Sequence, residues 1–248
     1  MSHNLMKTII IIPARMASVR FPNKPMALIN GKPMIQRVWQ KAKDSNLGPV
    51  VVACCEEEVF NLINSNGGKA VMTSPDHPSG TDRIYEVVKN FPDINQFESI
   101  INLQGDMPLI NSSDIQKVNI PLIQGFDIGT LVTDITLQEE KDLNITKAKI
   151  NWIKKNNLGE AINFYKISKN IINDVYHHVG IYSFRYKSLE NFVNLKPSVN
   201  ELRHKLEQWR ALDANISIGA TYIENVPISI DTKEDLIRAE NIIKGSYE

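Results

Sequence analysis

Short apolar runs punctuate the first half of the chain, at residues 8–12, 50–53, 70–72, 99–103 and 128–132. Each is too short for a helix, and each gives way to a polar break and then to a stretch with helical period. That alternation predicts βαβ units around a parallel sheet. Residues 33–42 predict a first crossover helix, because Met34, Ile35, Val38, Trp39 and Ala42 share one helical face and Pro33 suits a first turn. Towards the other end, residues 226–230 read as a strand, and Thr232-Lys233-Glu234-Asp235 reads as a capping box opening a helix through Leu236, Ala239 and Ile242. Asp231 then stands where a strand ends.

The middle of the chain carries a different pattern. Residues 149–164 alternate around Asn156-Asn157-Leu158-Gly159, which predicts a hairpin, and residues 179–184 predict a further strand. We expect residues 135–215 to form an antiparallel insertion with one helix at 201–211, laid over one side of the main sheet. Repeats, low-complexity tracts and obvious linkers are absent from the sequence. The expectation is one domain spanning residues 1–248, with 135–215 as an embedded lid.

Composition narrows the function classes. With 248 residues and 42% hydrophobic content the chain can bury a sizeable core. Lys+Arg and Asp+Glu both number 28, so no net basic field exists to recruit nucleic acid, and anion binding has to be local. The two cysteines, Cys54 and Cys55, are adjacent, a poor disulfide pair that suits a reducing cytoplasm. The apolar stretch after the N-terminal residues is only about four to six residues long, far short of a membrane span or signal core. A soluble, cytoplasmic protein is expected.

The segment that leaves the first apolar run is Pro13-Ala14-Arg15-Met16-Ala17-Ser18-Val19-Arg20-Phe21-Pro22-Asn23-Lys24-Pro25. In open parallel sheets, ligands bind beyond the carboxyl ends of the strands, which is where this segment lies. Loops that cradle phosphate with backbone amides need glycine, and this one has none. Side chains must serve instead: Arg15, Arg20 and Lys24, on a loop that Pro13, Pro22 and Pro25 stiffen, suit a triphosphate. A surface loop with scattered cations is the plainer reading of the same residues.

With Ile11-Ile12 before it, that segment resembles the signature I-P-A-R-x-x-S-x-R-x-P-x-K-P of the 3-deoxy-manno-octulosonate (Kdo) cytidylyltransferases, the CMP-Kdo synthetases. The likeness continues through Ile29-Asn30-Gly31-Lys32-Pro33-Met34-Ile35, the stretch 72–83, Asn102-Leu103-Gln104-Gly105-Asp106, His178-Val179-Gly180-Ile181-Tyr182, Leu206-Glu207-Gln208 and the stretch 230–236, and so runs almost the whole chain. It implies a Rossmann-like, mostly parallel α/β sheet flanked by helices, of the nucleotide-diphospho-sugar transferase type, with an antiparallel inserted lid. It implies that CTP is joined to a sugar acid with magnesium, releasing pyrophosphate, for lipopolysaccharide biosynthesis. A homodimer is implied too, with exposed apolar residues of the insertion around Trp152 as its expected contact.

The resemblance also assigns residues. Lys24, Arg15, Asp106 and Asp231 would carry catalysis, with Asp106 and Asp231 holding the metal. Ala14, Arg15, Ser18, Arg20, Lys24, Thr73, Ser79, Gly80, Arg83 and Gln104 would meet the nucleotide. Gln104, Lys166, His178, Tyr182, Glu207 and Gln208 would meet the sugar. Read singly, several have ordinary explanations: Asp231 as a helix cap, the stretch 72–83 as a polar loop with an N-cap, His178 as a satisfied, partly buried histidine, Glu207 and Gln208 as a solvated helix face. One or two metal ions fit, and the residues do not choose a general base.

Three stretches depart from the family pattern. Its Ala-Thr-Asp is Ala53-Cys54-Cys55 here, its Gln-Gly-Asp-Glu-Pro is Gln104-Gly105-Asp106-Met107-Pro108, and its Tyr-Phe-Ser-Arg is Asn163-Phe164-Tyr165-Lys166. Lys166 keeps a positive charge but loses the planar fork that grips a carboxylate. The acceptor readings are therefore Kdo itself or a related ulosonic acid such as an amino-substituted one. A catalytically silent nucleotide-binding homologue is the rival from another class, and the retained Lys24, Asp106 and Asp231 argue against it.

Overall fold

Ile9, Ile10, Ile11 and Ile12 are all fully buried, so the first strand is covered on both faces and has no polar side to alternate. The computed structural model describes residues 6–17, 21–166 and 174–245. Its residues fall into two compact units, one drawn from Met1–Phe97, Asn102–Ile115 and Pro227–Glu248, the other from Glu98–Ile101 and Gln116–Val226. No helix among the described residues is long and apolar enough to cross a membrane.

In the first unit, β1 (Thr8–Pro13), β2 (Val50–Cys54) and β3 (Lys69–Met72) run parallel in the order β3-β2-β1. The predicted crossovers join them. α1 (Met34–Asp44) buries the five residues expected of it, and α2 (Glu57–Ser65) buries Val59 and Ile63. Pro33 stands one place outside the expected first turn, at the N-cap, with φ −54° and ψ 140°. It belongs to a short ribbon in which Leu28–Ile29 pairs with Lys32–Pro33. α3 (Gly80–Asn90) follows β3, and Ser79 caps it by accepting from the amides of Thr81 and Asp82.

The strand expected at 226–230 does not form: those residues carry no strand pairing. Pro227 has no N–H to give a ladder, and the apolar alternation there serves packing instead. Ile230 is buried with Phe21, Ile29, Met34 and Ala239, and its amide donates to the Asp106 carbonyl at 2.9 Å. Thr232 and Asp235 do make the expected reciprocal cap, and the C-terminal helix spans Lys233–Gly245.

In the second unit, which takes in most of β4 (Ser99–Asn102), β5 (Ile128–Thr133) is central. The predicted hairpin is present as β6 (Lys147–Lys154) and β7 (Leu158–Tyr165), with Asn156 at φ 57° in its turn. β8 (Val175–Phe184) pairs antiparallel with β5 along one part and with β6 along another, the register shifting between Val179 and Tyr182. β9 (Ile218–Tyr222), which the pattern did not predict, runs parallel to β5 and antiparallel to β7.

The helix expected at 201–211 is two helices, α4 (Val199–His204) and α5 (Gln208–Asp213). A capping box of Ser198 with Glu201 starts the first early, and Lys205 at φ 54° ends it. Across the break the Arg210 guanidinium grips the Glu201 carboxylate with two bonds, at 2.8 and 2.6 Å.

Candidate active site

At the carboxyl ends of β1 and β2 the chain leaves the sheet in register: the Ala14 amide donates to the Ala53 carbonyl at 2.8 Å, and the Thr73 amide to the Cys54 carbonyl at 2.8 Å. Beyond that edge, wholly within the first unit, lies a pocket of about 430 Å³. Ala14, Arg15, Lys24, Ser79, Gly80, Arg83, Gln104, Asp106 and Asp231 all line it. Residues distant in sequence are thus brought together as the resemblance implied. Ser18 and Arg20 lie outside the described residues.

Lys24 opens a short turn of 3-10 helix, Lys24–Met26, behind Asn23 at φ 58°. Its ammonium lies between two carboxylates, 2.9 Å from Asp106 Oδ2 and 3.2 Å from Asp231 Oδ1. Burial pulls the Lys24 pKa down, but the two carboxylates outweigh it, and the pKa stands above the ordinary lysine value. Asp106 follows β4, and Asp231 is set by the buried Ile230 before it and by its own amide donating to Asp235 Oδ2 at 3.1 Å.

On the opposite side, the start of α3 packs closely on the loop: a Cβ at Gly80 would stand 3.2 Å from Pro13 Cγ and 3.5 Å from Gln104 Oε1. Gln104 donates to Asn102, which donates to Thr81 in the first turn of that helix. Arg83 is 2% exposed, with Nη1 donating to Thr73 Oγ1 at 2.6 Å and Nη2 without a hydrogen-bond partner among the described residues. Thr73, expected at the nucleotide, is buried behind Arg83 and supports it.

The assigned set omitted His77. It lines the pocket, and its Nε2 is in contact with the Glu86 carboxylate, which also accepts from the Ser74 amide at 3.0 Å. Burial acts to raise the Glu86 pKa, but the histidine and that amide hold it below the usual carboxylate value. His77 lay within the resembling stretch 72–83, whereas no local spacing rule points to Glu86. Burial, with Glu56 adding to it, pushes the Cys54 thiol up to about 12, so it is no nucleophile near neutral pH.

In the second unit, His178, Tyr182 and Gln208 form a buried cluster. His178 Nε2 is 3.0 Å from Thr130 Oγ1, and its ring stands edge-on to Phe164 and tilted against Tyr182. Burial, with the neighbouring His177 and Lys166 acting in the same direction, pushes the His178 pKa down to about 3. Burial raises the Tyr182 pKa, Glu207 adding to it, and the Tyr182 hydroxyl accepts from Gln208 Nε2. Gln208 Oε1 is buried with no partner among the described residues. Lys166 sends its ammonium to the Asn144 carbonyl at 3.0 Å. Lys147, which the sequence did not single out, is fully buried and donates to the carbonyls of Asp142, Ile145 and Lys166.

Comparison with known proteins bears on this arrangement. The model of the cytidylyltransferase family matches residues 9–218. The 3-deoxy-manno-octulosonate cytidylyltransferase of Paramagnetospirillum magneticum is 44% identical over 240 residues, 96% of this chain and 98% of that protein. That of Brucella suis is 41% identical over 237 residues, 94% of each. The solved structure of CMP:2-keto-3-deoxy-manno-octonic acid synthetase complexed with CTP superposes with a TM-score of 0.86 at 32% identity, covering 97% of this chain and 99% of that one. UDP-glucose pyrophosphorylase complexed with UDP-glucose matches at a TM-score of 0.67 and 14% identity, over 97% of this chain and 100% of that one, a likeness of fold. The architecture is the mixed α/β fold of nucleotide-diphospho-sugar transferases.

Proposed function

The chain belongs to the cytidylyltransferase family, with 3-deoxy-manno-octulosonate cytidylyltransferases as its relatives over nearly its whole length, and we propose that it converts CTP and Kdo to CMP-Kdo and pyrophosphate. The observation that carries this reading is the pocket that Arg15 lines together with Lys24, whose ammonium lies between the carboxylates of Asp106 and Asp231. The anomeric hydroxyl oxygen of the sugar acid forms a bond to the α-phosphorus, the bond from that phosphorus to the bridging oxygen breaks, and pyrophosphate leaves as the hydroxyl proton is lost. Catalysis then rests on placing two anions together and on stabilising the charge that grows on the transferring phosphate.

Arg15 offers a bidentate fork and Lys24 a mobile point charge for the triphosphate. Arg83, buried with one unengaged nitrogen, and Gln104 supply donors and acceptors for the cytosine and ribose, with Ser79 and Gly80 at the start of α3 beside them. His178, Tyr182, Glu207, Gln208 and Lys166 hold the sugar acid. His178 does so as a neutral ring, because burial keeps it from charging.

Magnesium suits the donor set. Two carboxylate oxygens, Asp106 Oδ2 and Asp231 Oδ1, meet on one ammonium, and a hard divalent cation takes one or two carboxylates together with substrate phosphates. When bound, the metal supplies charge compensation to the phosphates. Residues 135–215 serve as the sugar-binding and dimerisation subregion of a homodimer, with Ile153 and Ile162 exposed on the same hairpin as Trp152. We place the enzyme in the cytoplasm, at the supply of CMP-Kdo for lipopolysaccharide.

Pyrophosphate release measured with each of the four NTPs against Kdo, with magnesium present, tests the reading. Release with CTP far above the other three is expected. No release with CTP and Kdo, or equal use of UTP, would overturn it.

A further inference from the structure

Glu56 stands at the N-cap of α2 with an extended backbone, φ −121° and ψ 137°, yet its side chain makes no capping bond. Its backbone carbonyl starts that helix by accepting from the Phe60 amide, while its carboxylate turns away and accepts the Met16 amide at 2.9 Å, forty residues back in the chain. A glutamate is too long for the compact cap that Ser, Thr, Asp or Asn makes, so the reach across to another loop is the use its length permits.

The residue it takes hold of closes the cationic loop. Met16 donates its amide to Glu56, and its carbonyl accepts from the Asn23 amide at 3.1 Å, so Met16 is tied both to the end of β2 and to the residue before Lys24. Arg15 immediately precedes Met16, and Lys24 immediately follows Asn23. Upstream, the Ala14 amide is bound to the Ala53 carbonyl, at the end of the strand that leads into Glu56. Arg15 is therefore held on both sides by the end of β2.

We infer that Glu56 is a positioning residue of the transfer reaction: by holding Met16 it fixes where Arg15 and Lys24 stand relative to each other and to the pocket. This rests on the reading that those two cations meet the triphosphate. An amide bonded to a carboxylate is a stronger tether than one bonded to a neutral acceptor, and misplacement by about 1 Å costs a catalytic site up to ~100-fold in rate. The role also gives the chain a carboxylate at the end of β2, one place beyond Cys55, where the family pattern carries aspartate.

Glu56→Ala, Glu56→Gln and Glu56→Asp, with Arg15→Ala as the control, test this by steady-state kinetics in both substrates and by hydrogen exchange at the Met16 amide. Glu56→Ala is expected to lower kcat/KM for CTP about tenfold or more, to leave the Kdo KM within about twofold, and to speed exchange at Met16. Glu56→Gln, which keeps an acceptor of the same reach, should recover to within about threefold, while Glu56→Asp, charged but short, should behave like Ala. Should the Ala variant fail to fold, the Gln and Asp pair decides: equal activity in the two overturns the inference. Arg15→Ala impairing CTP use while Glu56→Ala does not would overturn it as well. Arg15→Ala without effect on CTP would remove the triphosphate reading, and the inference with it.

Discussion

The two units handle polar side chains in opposite ways. In the first, the expected Lys24, Asp106 and Asp231 are charged and partly open to solvent, and they compensate one another, the lysine lying between the two carboxylates. In the second, the cluster of His178, Tyr182 and Gln208 is buried and neutral, tied to a threonine hydroxyl and to aromatic faces. Charged groups respond to a ligand's charge, and stabilise it most as that charge moves in a transition state. Neutral buried donors and acceptors instead read the positions of hydroxyls, because a substrate lacking one leaves them unsatisfied. On the function proposed above, the first unit would act on phosphate and the second would discriminate among polyols.

The largest effects should follow from breaking the charged set. Asp106→Asn and Asp231→Asn should each lower turnover about a thousandfold or more with little change in thermal midpoint, since neither side chain belongs to the core. Lys24→Ala should cost about a hundredfold, mostly in kcat rather than in the KM for CTP. Pyrophosphate release beside a melting curve measures both. An aspartate variant with near-normal turnover would take that residue out of the phosphate chemistry, and a Lys24 variant changed only in KM would make it a ground-state binder.

Acid should strike the neutral cluster. Burial pushes the His178 pKa down to about 3 in the folded chain, against an ordinary value of about 6.5 when unfolded. Between those values the unfolded chain binds a proton that the folded one refuses, so stability falls as pH drops, by about 1.4 kcal/mol per pH unit for a full proton, and this group contributes no slope above the unfolded value. Burial also lowers the pKa of His177, against the pull of Glu139, and adds in the same direction. His178→Gln should therefore flatten the acid limb of thermal midpoint against pH. An unchanged limb, or an NMR titration of His178 near 6.5, would show that the ring is not held neutral.

What the sequence disclosed differs between the units for physical reasons. In the first, the doubly buried β1 and β2 write themselves as continuous apolar runs, and the helices that follow carry clean faces. In the second, β9 escaped notice because its residues are small where neighbours press close: a Cβ at Gly219 would come within 2.5 Å of Pro121 Cβ and 2.7 Å of Phe126 Cγ. Residues 226–230 erred the other way, since packing of Ile228 and Ile230 imitates a strand's alternation. The site was legible as a set of residue types after known elements. Its pairings were not, because the contacts of Glu86 with His77, Glu56 with Met16 and Lys147 with three carbonyls depend on loops meeting in space.

The smallest expected effect tests where the two regions' chemistries divide. Lys166 is the lysine assigned to the sugar, standing where the family pattern has arginine, and its ammonium now rests on the Asn144 carbonyl. Its own carbonyl is held by the buried Lys147, so the backbone at 166 is fixed while the side chain's head can be exchanged. Lys166→Arg would present a planar fork from that fixed point, orienting a carboxylate through two parallel bonds where an ammonium accepts several poses. We expect kcat/KM for Kdo to change by about two- to tenfold, and kcat/KM for CTP by less than twofold. Adding Tyr165→Ser, which restores the family's smaller side chain, should shift the ratio of Kdo to an amino-substituted analogue further. The measurement is kcat/KM for both acceptors at saturating CTP, in wild type and both variants. Ratios constant within about twofold, roughly 0.4 kcal/mol, would remove Lys166 from sugar recognition and leave selectivity to the other residues assigned to the sugar.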